Sequence, residues 1–217
     1  FIISFVLIAA PVQAHETGKW VLRGGLGSVQ PDDKNLDLLG DGTVYVEVDD
    51  GSSVVLSGTY MFKENWGFDI LDALPFSHDI TVGGTDAAET KHLPPTFSVQ
   101  YHFNPGGTFM PYAGLGLNYT TFFSTDVDSE FADAVGATKL SLDDSFGLAL
   151  QVGADIELNE DWLINLDFRY INIETDAKIS FELSPPLSGT VDINLPFDQN
   201  AKFLLTLTNI HRYVSRS

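Results

Sequence analysis

Cysteine is absent from the chain, which excludes a disulfide framework and any thiolate metal or redox chemistry. Basic residues are scarce, with 11 lysines and arginines against 30 aspartates and glutamates, a formal net charge of -19. Such a balance cannot furnish a patch that neutralises phosphates, so nucleic acid is excluded as a partner. Long apolar runs are lacking too, and none reaches the ~20 residues that a membrane-spanning helix requires. The 5 histidines form neither an H-x-x-x-H nor an H-E-x-x-H spacing, which leaves a zinc site without ligands. No G-x-S-x-G elbow occurs. Ser98 and His102 share a strand face, but four residues of strand rise separate them by roughly 13 Å, too far for a proton relay. No catalytic residue, metal site or cofactor is therefore expected, and an enzyme is not the reading.

What the chain does have is alternation. In Trp162–Tyr170, Trp162, Ile164, Leu166, Phe168 and Tyr170 fall on one face, and Asn165, Asp167 and Arg169 on the other. A period of two means a strand with unlike surroundings on its two sides. The apolar face has aromatics at its ends and aliphatics between them, over about the 9–11 residues of a bilayer-crossing strand. Thr96–Phe103 repeats the pattern, with Phe97, Val99, Tyr101 and Phe103 opposing Thr96, Ser98, Gln100 and His102. Ser145–Ile156 repeats it again, and Val54–Phe62 and Ala113–Tyr119 follow it more loosely. A soluble sandwich would use the same alternation with its apolar face inside. The repeated aromatic ends and small or polar opposite faces favour a closed membrane barrel.

Connections alternate in length. Lys63–Trp66, Asn104–Gly107 and Leu158–Asp161 are tight and rich in turn residues, whereas residues 30–52, 78–92, 124–144 and 174–194 form long polar segments. Short turns on one side and long loops on the other describe an all-β, eight-stranded antiparallel up-and-down transmembrane β-barrel. Its strands are expected near 20–29, 53–63, 66–76, 94–103, 111–123, 144–157, 161–174 and 191–209. Gly24, Gly25 and Gly27 lie within the first of these and are read as making room for bulky interior neighbours. Acidic residues collect in the long loops, among them Asp32, Asp33, Asp126, Asp128 and Asp144. The plain reading is a solvated, self-repelling surface; the alternative is divalent cation binding.

The start of the chain indicates the compartment. Phe1–Ala10 is a short apolar run, and Val12 and Ala14 occupy the positions that a signal peptidase reads. Residues 1–14 are accordingly expected to be a truncated signal peptide, with residues 15–217 forming the barrel.

Several segments carry a more specific signal. His15–Gly18, Ala73–Phe76, His92–Pro95, Pro111–Phe123, Asp161–Asn165 and Tyr170–Ile173 resemble the OmpW family, whose relatives include AlkL-like proteins. The resemblance implies an outer-membrane barrel in a Gram-negative bacterium, with a narrow, partly hydrophobic lumen. It further implies passive uptake of small hydrophobic or amphipathic molecules, with lateral escape through the barrel wall as one route. Outer-membrane lipid and lipopolysaccharide are the implied surroundings.

In the family's pattern a leucine stands at the place of Leu71, and a tryptophan at the place of Arg169 narrows the channel. Leu71 conforms and Arg169 departs. By the alternation Arg169 points inward, where a guanidinium needs a partner, and Asp69, Asp155 and Asp167 are the inward candidates. Two functions stay open at this point. The first is a channel lined by apolar residues such as Leu71 and Met61. The second is a structural or adhesive barrel, sealed by charge pairs around Arg169, that presents acidic loops.

Overall fold

The computed structural model describes residues 16–31, 36–37, 43–159, 162–182 and 190–213. The expected signal segment and Asp32, Asp33 and Asp41 of the first acidic loop lie outside these residues. Among the described residues the strands are β1 (Trp20–Pro31), β2 (Leu36–Asp37), β3 (Tyr45–Val48), β4 (Gly51–Lys63), β5 (Trp66–Ala73), β6 (Phe76–Val82), β7 (Thr85–Leu93), β8 (Thr96–His102), β9 (Phe109–Val127), β10 (Ala137–Leu142), β11 (Ser145–Asn159), β12 (Trp162–Glu182) and β13 (Thr190–Tyr213). Among the described residues one short helix, α1 (Ser129–Val135), interrupts them.

Every ladder is antiparallel. β1 pairs with β4, β4 with β5, β5 with β8 and β8 with β9. β9 then pairs with β11, β11 with β12, β12 with β13, and β13 with β1. The result is an all-β antiparallel fold of the barrel type, and the expected strand positions fall on these elements. Tight turns follow from local chemistry. At the β4–β5 turn, Asn65 Nδ2 donates to the His102 carbonyl at 2.7 Å, while the His102 N–H donates to the Asn65 carbonyl at 2.8 Å.

The long polar segments are more ordered than their composition suggests. β6 and β7 form a hairpin closed by Gly83 and Gly84, both at positive φ (58° and 79°), as a tight two-residue hairpin turn requires. β7 continues onto β9, and β12 and β13 stay paired well beyond Glu174. α1 is held at its start by Asp128, whose carboxylate accepts from the Glu130 and Phe131 N–H groups, and at its end by Gly136 at φ 73°.

Burial splits the strands as the alternation requires. Leu148, Leu150, Val152, Leu166, Phe168, Phe97, Val99 and Tyr101 are exposed on the outside, and Ile164 is half-buried. Gln151, Asn165, Asp167, Arg169, Ser98 and Gln100 are buried on the inside. An apolar exterior around a polar interior is the reverse of a water-soluble sandwich. Aromatics gather where the exterior meets the tight turns: Trp20 lies 5.3 Å from Tyr60, and Trp66 lies 5.0 Å from Tyr101, between ring centroids.

Candidate functional site: a polar belt, an apolar cluster and a break in the wall

The interior is layered along the strands. Nearest the tight turns, Val21, Met61, Met110 and Leu163 form one apolar cluster. Towards the long loops, Val29, Val55, Leu71, Phe76, Ala149, Ile171 and Ile173 form a second, with Ala73 and Phe122 packed against it. A belt of charged and polar side chains lies between the two.

The belt is a closed circuit. Arg23 donates from Nε to Asp155 Oδ1 at 3.1 Å and from Nη2 to Oδ2 at 2.6 Å. Asp155 Oδ1 also accepts from Asn165 Nδ2 at 2.8 Å, and the same amide donates to Tyr112 Oη at 2.9 Å. Tyr112 donates to Asp167 Oδ2 at 2.6 Å. Asp167 Oδ1 accepts from Arg169 Nε at 2.9 Å, and Arg169 Nη2 reaches Asp69 Oδ2 at 2.8 Å. Thr59 closes the loop, donating to Asp69 Oδ1 at 2.7 Å while accepting from Arg23 Nη1 at 2.6 Å. Gln100 Nε2 donates to Gln151 Oε1 at 3.1 Å, and Gln151 Nε2 donates to Asp167 Oδ2.

The sheet register explains which groups meet. Thr59 stands opposite Asp69, Asn165 opposite Asp155, and Gln151 opposite Arg169. Glycine supplies the remaining room. A Cβ at Gly114 would sit 2.8 Å from Gln151 Oε1, so the two glutamines bond across a bare position on β9. A Cβ at Gly153 would sit 2.4 Å from the Tyr112 ring. The Arg23 guanidinium lies 5.6 Å from the centre of that ring. Two guanidiniums and three carboxylates are thereby desolvated together, which is tolerable only because nearly all their hydrogen-bonding capacity is met.

Beside the upper cluster the wall is interrupted. The β5–β8 ladder ends at the pair Leu71 and Thr96, and pairing resumes in the β6–β7 hairpin at Phe76 and His92. Between these pairs lie residues 72–75 on one side and 93–95 on the other. Pro94 and Pro95 have no N–H to donate across the break. The freed groups are satisfied on their own sides. Ala73 N–H donates to Asp72 Oδ1 at 2.8 Å and Leu74 N–H to the Val54 carbonyl at 2.8 Å. Asn118 Nδ2 donates to the Pro94 and Pro95 carbonyls at 3.1 and 3.2 Å. Such compensation is what an opening in a lipid-facing wall requires, because unmet backbone groups are costly there.

An aromatic group stands at the loop end of the upper cluster. His92 stacks on Phe76 with centroids 5.6 Å apart, on His78 at 4.8 Å, and tilts against Phe122 at 5.7 Å. His78 Nδ1 donates to the Asp49 carbonyl at 2.6 Å, so its neutral tautomer leaves a bare Nε2. Both Nε2 atoms are buried without a partner. Burial pushes the His78 imidazole below its ordinary pKa. Burial, with the neighbouring His78 ring, pushes His92 down to about 3.

The OmpW family model matches residues 16–194. The chain belongs to the OmpW family. It is 44% identical over 178 residues to outer membrane protein W of Vibrio cholerae, an alignment covering 79% of this chain and 81% of that protein. The crystal structure of OprG from Pseudomonas aeruginosa superposes with a TM-score of 0.77 at 34% identity, covering 92% of this chain and 99% of that one. The structure of AlkL in lipid bilayers shares the fold, with a TM-score of 0.67 at 19% identity, covering 99% of this chain and 100% of that one. The chain is thus an outer-membrane protein of the Gram-negative type, and lipid is what its apolar exterior meets.

Within this OmpW-family interior, the residues singled out from sequence separate into layers. Arg169, Asp69 and Asp167 come together as one ion-paired unit. Asp155 pairs with Arg23, which sequence reasoning passed over. Leu71 and Met61 belong to different clusters with the belt between them, so they do not line one continuous apolar path. Of the glycines read as making room inside the barrel, Gly24 does not, and glycines on other strands do. Gly24 faces Leu56, whose side chain is exposed on the exterior, whereas Gly67, Gly114 and Gly153 make room for interior side chains. Gln100 and Asn165 were visible in sequence only as inward-facing polar residues, and Tyr112 and Thr59 were not singled out.

Proposed function

We propose that the chain is an eight-stranded transmembrane β-barrel that takes up small hydrophobic or amphipathic molecules passively. In this reading β1, β4, β5, β8, β9, β11, β12 and β13 are the spanning strands, and residues 1–14 are a signal segment preceding a barrel of residues 15–217. A solute enters among the long loops, passes the Phe76–His92–His78 stack and rests in the chamber around Leu71 and Ile171. It leaves sideways into the membrane through the break between residues 72–75 and 93–95. The observation that carries the reading is that one apolar cluster lies between a nearly saturated ionic floor and an interrupted stretch of wall. An apolar solute gains nothing by crossing two guanidiniums and three carboxylates, whereas the break opens towards hydrocarbon. No step of this reading is catalytic.

The second reading is a structural or adhesive barrel with a sealed lumen, which presents acidic loops to lipopolysaccharide, divalent cations or another surface. The near-complete satisfaction of the belt favours it, since a fully bonded circuit is also how a plug is stabilised. Proteoliposomes distinguish the two. In uptake of an environment-sensitive naphthylamine dye, the transport reading expects faster entry than into protein-free vesicles. It also expects slower entry when Pro94 and Pro95 are both replaced by alanine, which returns two donors to the wall. Entry no faster than in empty vesicles would leave the sealed barrel.

A further inference from the structure

We propose that the junction of the upper apolar cluster with the belt selects a neutral amphiphile whose head accepts hydrogen bonds, such as an alkanol, ketone or ester. This rests on the uptake reading above and narrows its solute class. Arg169 Nη1 is buried and has no partner, although the other two nitrogens of the same guanidinium are bonded. Ser98 Oγ is likewise buried without a partner. Ser98 stands opposite Asp69 in the β5–β8 ladder, and Asp69 is the residue that holds Arg169. The two unmet groups therefore belong to one neighbourhood.

The direction of Nη1 follows from the planarity of the guanidinium. Its Nε edge faces Asp167, which lies two residues nearer the tight turns on β12. Nη1 occupies the opposite edge and is turned towards the loops. In that direction the next inward residue is Ile171 on β12 and Leu71 on β5, both in the upper cluster. A donor and a hydroxyl beneath an apolar cluster suit a chain with one acceptor oxygen at its end. Buried polar groups left unmet are costly, so a solute that satisfies them is preferred over one that does not.

Charge decides the kind of head. The belt holds Asp69, Asp155 and Asp167 against Arg23 and Arg169, one carboxylate in excess. A carboxylate head would add a second negative charge at low dielectric, and an ammonium head would meet a guanidinium edge. A neutral oxygen avoids both.

The test compares eight-carbon probes on the refolded full chain: 1-octanol, 2-octanone, octane and octanoate, each competing with a bound naphthylamine dye. Ser98→Ala removes one unmet hydroxyl and nothing that holds the belt together. The proposal expects this variant to weaken 1-octanol by about fivefold, the worth of one hydrogen bond, and to leave octane unchanged. It expects octanoate to compete least of the four. In the unaltered protein, 1-octanol should shift the Arg169 Nη1 resonance in nitrogen NMR, and octane should not. Octane binding normally with Ser98→Ala moving neither probe, and with Nη1 unshifted by octanol, would overturn the head preference while leaving the uptake reading intact. Octanoate competing as well as 1-octanol would overturn the neutral-head claim. Failure of every probe to displace the dye would overturn this proposal together with the reading beneath it.

Discussion

Arg23 and Asp155, 132 positions apart in sequence, meet as a two-point ion pair across the barrel interior. The pair ties β1 to β11, strands that are not neighbours in the wall. Truncating one member leaves a buried charge without its partner, which typically costs about 3–5 kcal/mol. Asp155→Ala is therefore expected to lower the unfolding free energy of the lipid-refolded protein, read from urea titration, by an amount in that range. The double replacement Arg23→Met with Asp155→Leu should cost clearly less than the two single changes added together. Strict additivity would mean that the two residues do not act as a unit.

The lipid-facing exterior makes a second prediction. Leu150 and Leu166 are exposed on the outside of β11 and β12. An arginine at either place should destabilise by roughly 2–4 kcal/mol, as for a charge near the midplane of an outer-membrane barrel. An arginine at Ser77, exposed on the β6–β7 hairpin, should change stability by less than about 0.5 kcal/mol. Equal costs at all three sites in unfolding titrations would place Leu150 and Leu166 outside the hydrocarbon.

Gly114 offers a third. Its bare backbone lets Gln100 and Gln151 bond across β9. Gly114→Val should force the two amides apart and expose Asp167 to an unmet neighbour. Side-chain amide NMR should then show both glutamines losing hydrogen-bonded shifts while the β9 ladder persists. Unchanged amide shifts would mean that the interior has slack at this level.

The stacked histidines predict a pH response confined to the loops. In the folded protein both imidazoles are held below their ordinary range, His92 to about 3. The unfolded segment would titrate near 6.5. Below that pH the unfolded form binds protons that the folded form refuses, so stability is full above about 6.5 and falls as pH drops towards 3. Asp49, Asp50 and Asp79 oppose the shift at His78 without cancelling it. Hydrogen exchange in β6 and β7, corrected for its intrinsic pH dependence, should accelerate between pH 6.5 and 4, and exchange in β11 and β12 should not. His92→Phe should flatten the response. Protection of the hairpin that stays constant across this window would contradict the burial of neutral rings.

Much of this architecture was legible in the sequence because alternation directly records which face each residue occupies. It fixed Arg169, Asp69, Asp155 and Asp167 as interior residues, and Leu148, Leu150 and Val152 as exterior ones. It does not record height or bearing around the barrel. Asp155 was therefore offered to Arg169 although Arg23 is the guanidinium it pairs with, and Arg23 itself was hidden in a strand diluted by Gly24, Gly25 and Gly27. Strand rise of about 3.3 Å per residue, counted from the turn at residues 64–65, would have separated Met61 from Leu71. The β6–β7 hairpin was missed inside a polar segment, although Gly83–Gly84 between alternating residues is a two-residue turn signal. The unmet groups on Arg169 and Ser98 had no signal in sequence, since they depend on what the rest of the belt leaves over.

The central claim is that the axis is closed to ions while the wall is open to apolar solutes. It is tested most directly in one preparation, by following dye entry and potassium leakage together in proteoliposomes of the full chain. The account predicts accelerated dye entry with potassium leakage at the level of protein-free vesicles. Potassium leakage that rises in step with dye entry would mean a water-filled pore through the belt, and would contradict it.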